Sequence, residues 1–162
     1  MSRLDKLPIE VINIGLCDAA IHYLVIVCSD NMAYLGKTFK HSKDENFDAF
    51  LDSLKVPAAA RAKGSSPTNS LTLNPDGTYT LDIQSPAFSS THTFTSGVEF
   101  NEQTAAGVSK TTFTLEGDTL TQVQQFPHFS ITTKREFSDS ELKVTLTTST
   151  WDGVAVRYYT AA

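Results

Sequence analysis

FSITTKREF (129–137) and SDSELKVTLTTSTWDGVAVRYY (138–159) decide the fold. They read as one strand, a short turn and two further strands. Phe129, Ile131, Thr133, Arg135 and Phe137 are spaced by two, so on an extended chain they share one face. Ser130, Thr132, Lys134, Glu136 and Ser138 take the other face. The first face is apolar apart from Thr133 and one arginine, and a guanidinium turned into an apolar face costs several kcal/mol unless it is paired. A second arginine, Arg157, stands on the last strand with Tyr159 two places on. Simple alternation there makes Val154, Val156 and Tyr158 the apolar face and points Arg157 and Tyr159 outward.

Upstream of this stretch the same strand-and-turn rhythm continues. Turn signals fall at Asn74-Pro75-Asp76-Gly77, Ser85-Pro86, Ser96-Gly97, Ala106-Gly107, Glu116-Gly117-Asp118 and Phe126-Pro127, and beyond at Ser138-Asp139 and Trp151-Asp152-Gly153. Between them Tyr79/Leu81/Ile83, Val98/Phe100, Phe113/Leu115 and Leu142/Val144/Leu146 alternate. A short strand over Gly36–His41 precedes a helical segment. Ser42-Lys43-Asp44-Glu45 matches a capping box, and Phe47, Phe50, Leu51 and Leu54 follow at amphipathic spacing. Pro57 opens a second short helix that Gly64 ends. About ten strands with two small helices predict an all-β, up-and-down antiparallel barrel with a helix–turn–helix lid.

The inner faces are not those of a dry core. Ser90 and His92 lie between Phe88 and Phe94, and Gln122 and Gln124 between Leu120 and Phe126. In a solid interior each unpaired polar group costs about 1–3 kcal/mol. A barrel with an internal ligand cavity avoids that cost.

Composition narrows the function classes. The chain has 162 residues and a net charge of -5, which argues against nucleic acid, whose phosphates need a basic patch. There is no apolar run long enough for a membrane-spanning helix. Residues 1–31 form an extension of unknown role with one apolar run, IHYLVIVC (21–28), whose charged start and lack of a cleavage site speak against a secretory signal. Both cysteines, Cys17 and Cys28, lie in it, so the remainder suits a reducing compartment or is indifferent to it. The four histidines lack metal-ligand spacing, and no nucleophile, zinc or phosphate-loop signature occurs. No metal, cofactor or enzyme activity is expected. His92 reads as a pocket or core histidine. The basic residues Lys43, Lys55, Arg61 and Lys63 form a solvated face, with transient contact to an anionic membrane as the alternative.

Six ordered motifs carry a resemblance. MAYLGK (32–37), SKDENFDAFL (42–51), GVEF (97–100), TLTQVQ (119–124), TKRE (133–136) and VRYY (156–159) are similar to the intracellular fatty-acid-binding protein family of the calycin superfamily, nearest to insect gut-type members. The resemblance covers residues 32–162. It implies a ten-stranded barrel with a helical lid and a ligand carboxylate held by an arginine and an Arg-x-Tyr motif, here Arg135, Arg157 and Tyr159. On that alignment Arg157 turns inward, against the alternation. Phe88 matches the portal phenylalanine, Phe47 a helix residue facing the ligand, and Gln124 a polar cavity residue. The expected function is cytoplasmic carriage of long-chain fatty acids by a monomer. Retinoic acid or another hydrophobic carboxylate is the alternative. A secreted lipocalin-type carrier ranks lower, because the one tryptophan, Trp151, is near the end of the chain. Relative to typical vertebrate members, the hairpin 147–153 is about two residues longer and the lid segment 57–67 about two shorter, which bears on portal shape.

Overall fold

The computed structural model describes residues 32–61, 66–86 and 88–162. The N-terminal extension with its apolar run and both cysteines lies outside the described residues, as does the expected end of the second helix at residues 62–64. In chain order the elements are β1 (Thr38–Glu45), α1 (Phe47–Ser53), α2 (Ala58–Arg61), β2 (Thr68–Leu73), β3 (Tyr79–Ser85), β4 (Phe88–Phe94), β5 (Glu99–Thr104), β6 (Gly107–Glu116), β7 (Thr119–Gln125), β8 (Ser130–Phe137), β9 (Glu141–Thr148) and β10 (Trp151–Ala161).

The ten strands form one antiparallel sheet in the order β4-β3-β2-β1-β10-β9-β8-β7-β6-β5. Sequential neighbours pair through short turns, and β1 joins β10, so the sheet curls into a barrel as the turn spacing predicts. Its free edges, β4 and β5, are bridged by side chains. Phe94 on β4 stacks on Phe113 of β6 with ring centroids 4.5 Å apart, and Phe113 also stacks on Phe100 of β5 at 6.0 Å.

One end of the barrel is packed solid. Tyr34, Phe39, Phe113, Leu71, Leu81, Leu120 and Leu142 are fully buried there, each contributing about 1.5–3 kcal/mol by its burial. The segment before β1 seals this end: the Tyr34 hydroxyl donates to the Gly117 carbonyl at 2.8 Å, and Lys37 Nζ to the Asp139 carbonyl at 2.9 Å. At the other end α1 packs against β9 and β10. There Phe50 is buried, with its ring 6.4 Å from that of Trp151. Within the lid Arg61 donates to Asp52 Oδ1 at 2.6 Å and to the Val56 carbonyl at 3.0 Å.

Two local expectations need correction. Ser42–Glu45 is not a capping box but the end of β1. The helix begins after Asn46, which sits at φ 55° with no side-chain cap. Pairing with β10 outcompetes the local cap, and the Ser42 hydroxyl donates to the Tyr158 carbonyl at 3.0 Å. Likewise Trp151-Asp152-Gly153 is not the turn of the last hairpin. The turn is Ser149-Thr150, and residues 151–153 open β10 as a bulge. Trp151 pairs with Thr148 but Ala155 with Leu146, which leaves two extra residues on β10. The Trp151 ring folds over Gly153, where a Cβ would overlap it.

Candidate functional site

Between the packed end and the lid lies a cavity of about 540 Å³, within the range of about 300–1,000 Å³ usual for ligand sites. All six residues singled out from the sequence line it: Phe47, Phe88, Gln124, Arg135, Arg157 and Tyr159. Phe88 is half exposed.

The strands place these groups by alternation, with one exception to the hydrophobic-inside rule. On β8, Thr133, Arg135 and Phe137 are buried, as the period of two predicts. On β10 the buried residues are Ala155, Arg157 and Tyr159, whereas Val154 is exposed and Val156 and Tyr158 are only partly covered. Alternation read by hydrophobicity therefore fails here. The inner face borders a polar cavity, and the outer face carries β-branched and aromatic residues that suit a pleated surface. Outside, the Tyr158 ring lies under Lys43 Nζ at 4.3 Å, and its hydroxyl reaches Glu45 Oε2 at 3.2 Å.

Arg135 is 5% exposed. Its Nη1 donates to Gln122 Oε1 at 3.0 Å, and its Nε has no hydrogen-bond partner among the described residues. Burial lowers its pKa to about 10, against the opposing pull of Tyr159 and Glu102, so it remains charged at neutral pH. Arg135 lines the cavity, so a buried guanidinium with one side-chain hydrogen bond stands in its wall as a donor. Tyr159 is 3% exposed and hydrogen-bonds Asn69. Burial raises its pKa, with Arg157 and Arg135 opposing, so its hydroxyl keeps its proton.

Arg157, 8% exposed, has an internal partner that sequence reasoning missed. Its Nε donates to Asp44 Oδ1 at 2.8 Å and its Nη2 to Asp44 Oδ2 at 3.3 Å, while its guanidinium carbon sits 4.0 Å from the centre of the Phe47 ring. His41 Nε2 also approaches Asp44 Oδ1 at 2.7 Å. Burial pushes the Asp44 carboxyl up, but the hydrogen bonds from Arg157 and His41 outweigh it and hold it below the usual carboxylate range. The missed signal is a β-bulge. His41 pairs with Tyr159 but Lys43 with Tyr158, so Ser42 is the extra residue and Asp44 comes opposite Arg157.

A second missed group is Glu102 on β5. Its Oε2 accepts from Thr111 Oγ1 at 2.7 Å and Gln124 Nε2 at 2.9 Å, and its Oε1 lies 3.6 Å from His92 Nε2. Its place two residues after Phe100 was the available signal. His92 also contacts Ser90 Oγ at 2.6 Å. Its pKa is lowered by burial first, with Glu102 opposing and Arg135 adding to the effect, so the imidazole is neutral at pH 7. The lining thus mixes polar groups on β4, β5, β7, β8 and β10 with apolar side chains that include Ile83, Val144 and Leu146.

Comparison with known proteins places this geometry in a family. Fatty acid-binding protein 1 of Manduca sexta is 42% identical over 133 residues, covering 80% of this chain and 100% of that protein. A fatty acid-binding protein of Tyrophagus putrescentiae is 40% identical, covering 79% and 98%. Among solved structures, the fatty acid-binding protein from Drosophila melanogaster brain superposes with a TM-score of 0.72 at 41% identity, covering 79% of this chain and 99% of that one. A Schistosoma mansoni fatty acid binding protein in complex with arachidonic acid superposes with a TM-score of 0.71 at 31% identity, covering 80% and 96%. No family profile matches the chain.

Proposed function

The chain belongs to the fatty-acid-binding protein family, and from that premise we propose that it carries long-chain fatty acids as a non-enzymatic, monomeric cytoplasmic protein, with residues 32–162 as the lipid-binding unit. The head group takes charge-assisted hydrogen bonds from Arg157 and Arg135, directly or through water, and one from the Tyr159 hydroxyl. Gln124, Phe47 and Phe88 line the path of the chain, with Phe88 at the portal. The observation that carries this reading is one cavity that gathers two buried arginines, a protonated tyrosine and apolar side chains from β3 and β9.

Energetics favour the chain as the source of affinity and the arginines as the source of selectivity. Burying about sixteen carbons at ~0.8 kcal/mol per CH₂ gives a gross gain on the order of 12 kcal/mol. Association and ordering offset a large part of it and leave an affinity in the micromolar to nanomolar range. Mass spectrometry of lipid extracted from the purified protein, followed by calorimetric titration of the lipid-stripped protein, tests this. Recovery of long-chain carboxylates and saturable binding of hexadecanoate are expected. Failure to bind any long-chain carboxylate after lipid removal contradicts it.

A further inference from the structure

Asp44 enters the site by three features of the chain. The bulge at Ser42 turns it toward β10, the β1–β10 ladder sets it directly across from Arg157, and its carboxylate takes the Nε and Nη2 donors of that guanidinium. Asp44 does not itself line the cavity. It grips Arg157 from the β1–α1 junction, the same junction that lays Phe47 over the guanidinium and ties Asn46 Nδ2 to the Val154 carbonyl at 3.1 Å.

We propose that Asp44 is an internal counter-ion that competes with the ligand: it holds the Nε–Nη2 edge of Arg157 when no lipid is bound and yields that edge to the carboxylate of an incoming fatty acid. The inference rests on the proposed role of Arg157 in binding a carboxylate. Three arguments carry it. A side-on carboxylate already occupies one of the two edges through which arginine makes a two-pronged contact, and leaves a second carboxylate only the Nη1–Nη2 end. Two carboxylates on one partly desolvated guanidinium repel each other strongly, so both do not stay at full contact. Asp44 also has a second partner ready to keep it, because His41 already contacts its Oδ1. The exchange costs the protein one ion pair and gives back another. Asp44 therefore lowers the affinity for carboxylates without touching the acyl chain, and keeps Arg157 from standing as an unpaired buried charge in the empty protein.

The test is calorimetric titration of the lipid-stripped full chain with hexadecanoate and with hexadecanol, in wild type, Asp44→Asn, Asp44→Ser and Arg157→Gln, and in Asp44→Asn combined with Arg157→Gln. Removing the competitor is expected to tighten hexadecanoate about tenfold, the scale of one charge-assisted contact that no longer has to be broken. Hexadecanol is expected to be unaffected, and the Asp44 effect to vanish once Arg157 is glutamine. In thermal melts Asp44→Asn lowers the lipid-free melting temperature and enlarges the rise produced by hexadecanoate. Unchanged or weaker hexadecanoate binding in both Asp44 variants, with Arg157→Gln still separating acid from alcohol, overturns the proposal and leaves Asp44 as a support that only positions Arg157. If Arg157→Gln does not separate acid from alcohol, the carboxylate reading fails and this proposal with it.

Discussion

Arg157 and Asp44 face each other across the β1–β10 ladder, joined by hydrogen bonds of 2.8 and 3.3 Å, although 113 residues separate them in the chain. The pair closes the barrel between its first and last strands at the point where the lid departs. It also sets the electrostatics of the cavity. Of the two arginines in the lining, one arrives with its own carboxylate, and the other, Arg135, is left with a glutamine and an unpartnered Nε among the described residues.

This pairing makes stability depend on pH on the acid side. The Asp44 carboxyl is held below its ordinary value in the folded protein, so its contribution is fully present above the unfolded pKa of about 3.9. It is lost as pH falls through the lower, folded value. The melting temperature of the lipid-stripped protein is therefore expected to fall below about pH 4. Asp44→Asn removes that share of the decline. Identical pH profiles for the two proteins by differential scanning calorimetry would contradict the assignment.

Phe113 holds the open seam of the barrel. Its ring is fully buried and stacks on Phe94 and Phe100, which stand on the two unpaired edge strands. Phe113→Ala is expected to cost about 3–5 kcal/mol of stability in urea unfolding. A loss under about 1 kcal/mol would show that the seam does not depend on this stack.

The bulge that opens β10 depends on Gly153, because the Trp151 ring lies where a β-carbon would go. Gly153→Ala must displace that ring, which lies 6.4 Å from the ring of Phe50 in the lid, at a cost of about 1–3 kcal/mol. Tryptophan fluorescence offers a clean readout, since Trp151 is the only tryptophan in the chain. A shifted emission maximum with lowered stability is expected. An unchanged spectrum would mean that the ring does not rest there.

How far the sequence foretold this molecule can be read from particular residues. Turn chemistry marked most of the strand boundaries: Asn74-Pro75-Asp76-Gly77 and Glu116-Gly117-Asp118 separate strands as expected, because tight turns are set by local backbone preference. Arg135 was legible because its strand is regular and its neighbours at two-residue spacing are buried. Arg157 was not legible from hydrophobicity. The rule that apolar residues point inward assumes a packed interior, and this interior is a polar cavity; the resemblance to a family supplied the inward direction instead. Asp44 was hidden twice, first by a bulge that shifts the phase of β1, then by a Ser-x-x-Glu pattern that imitates a helix cap. Both depend on pairing with β10, which lies more than a hundred residues away and leaves no local trace.

Selection of carboxylates by this cavity through Arg157 can be read in a single titration. Hexadecanoate and hexadecanol share the same chain and differ in the head group. Arg157→Gln in the lipid-stripped protein is expected to weaken hexadecanoate by about ten- to a hundredfold, the worth of hydrogen bonds to a charged group. Hexadecanol is expected to change by less than about threefold, within the range of a small contact loss. Equal losses for acid and alcohol would contradict the account.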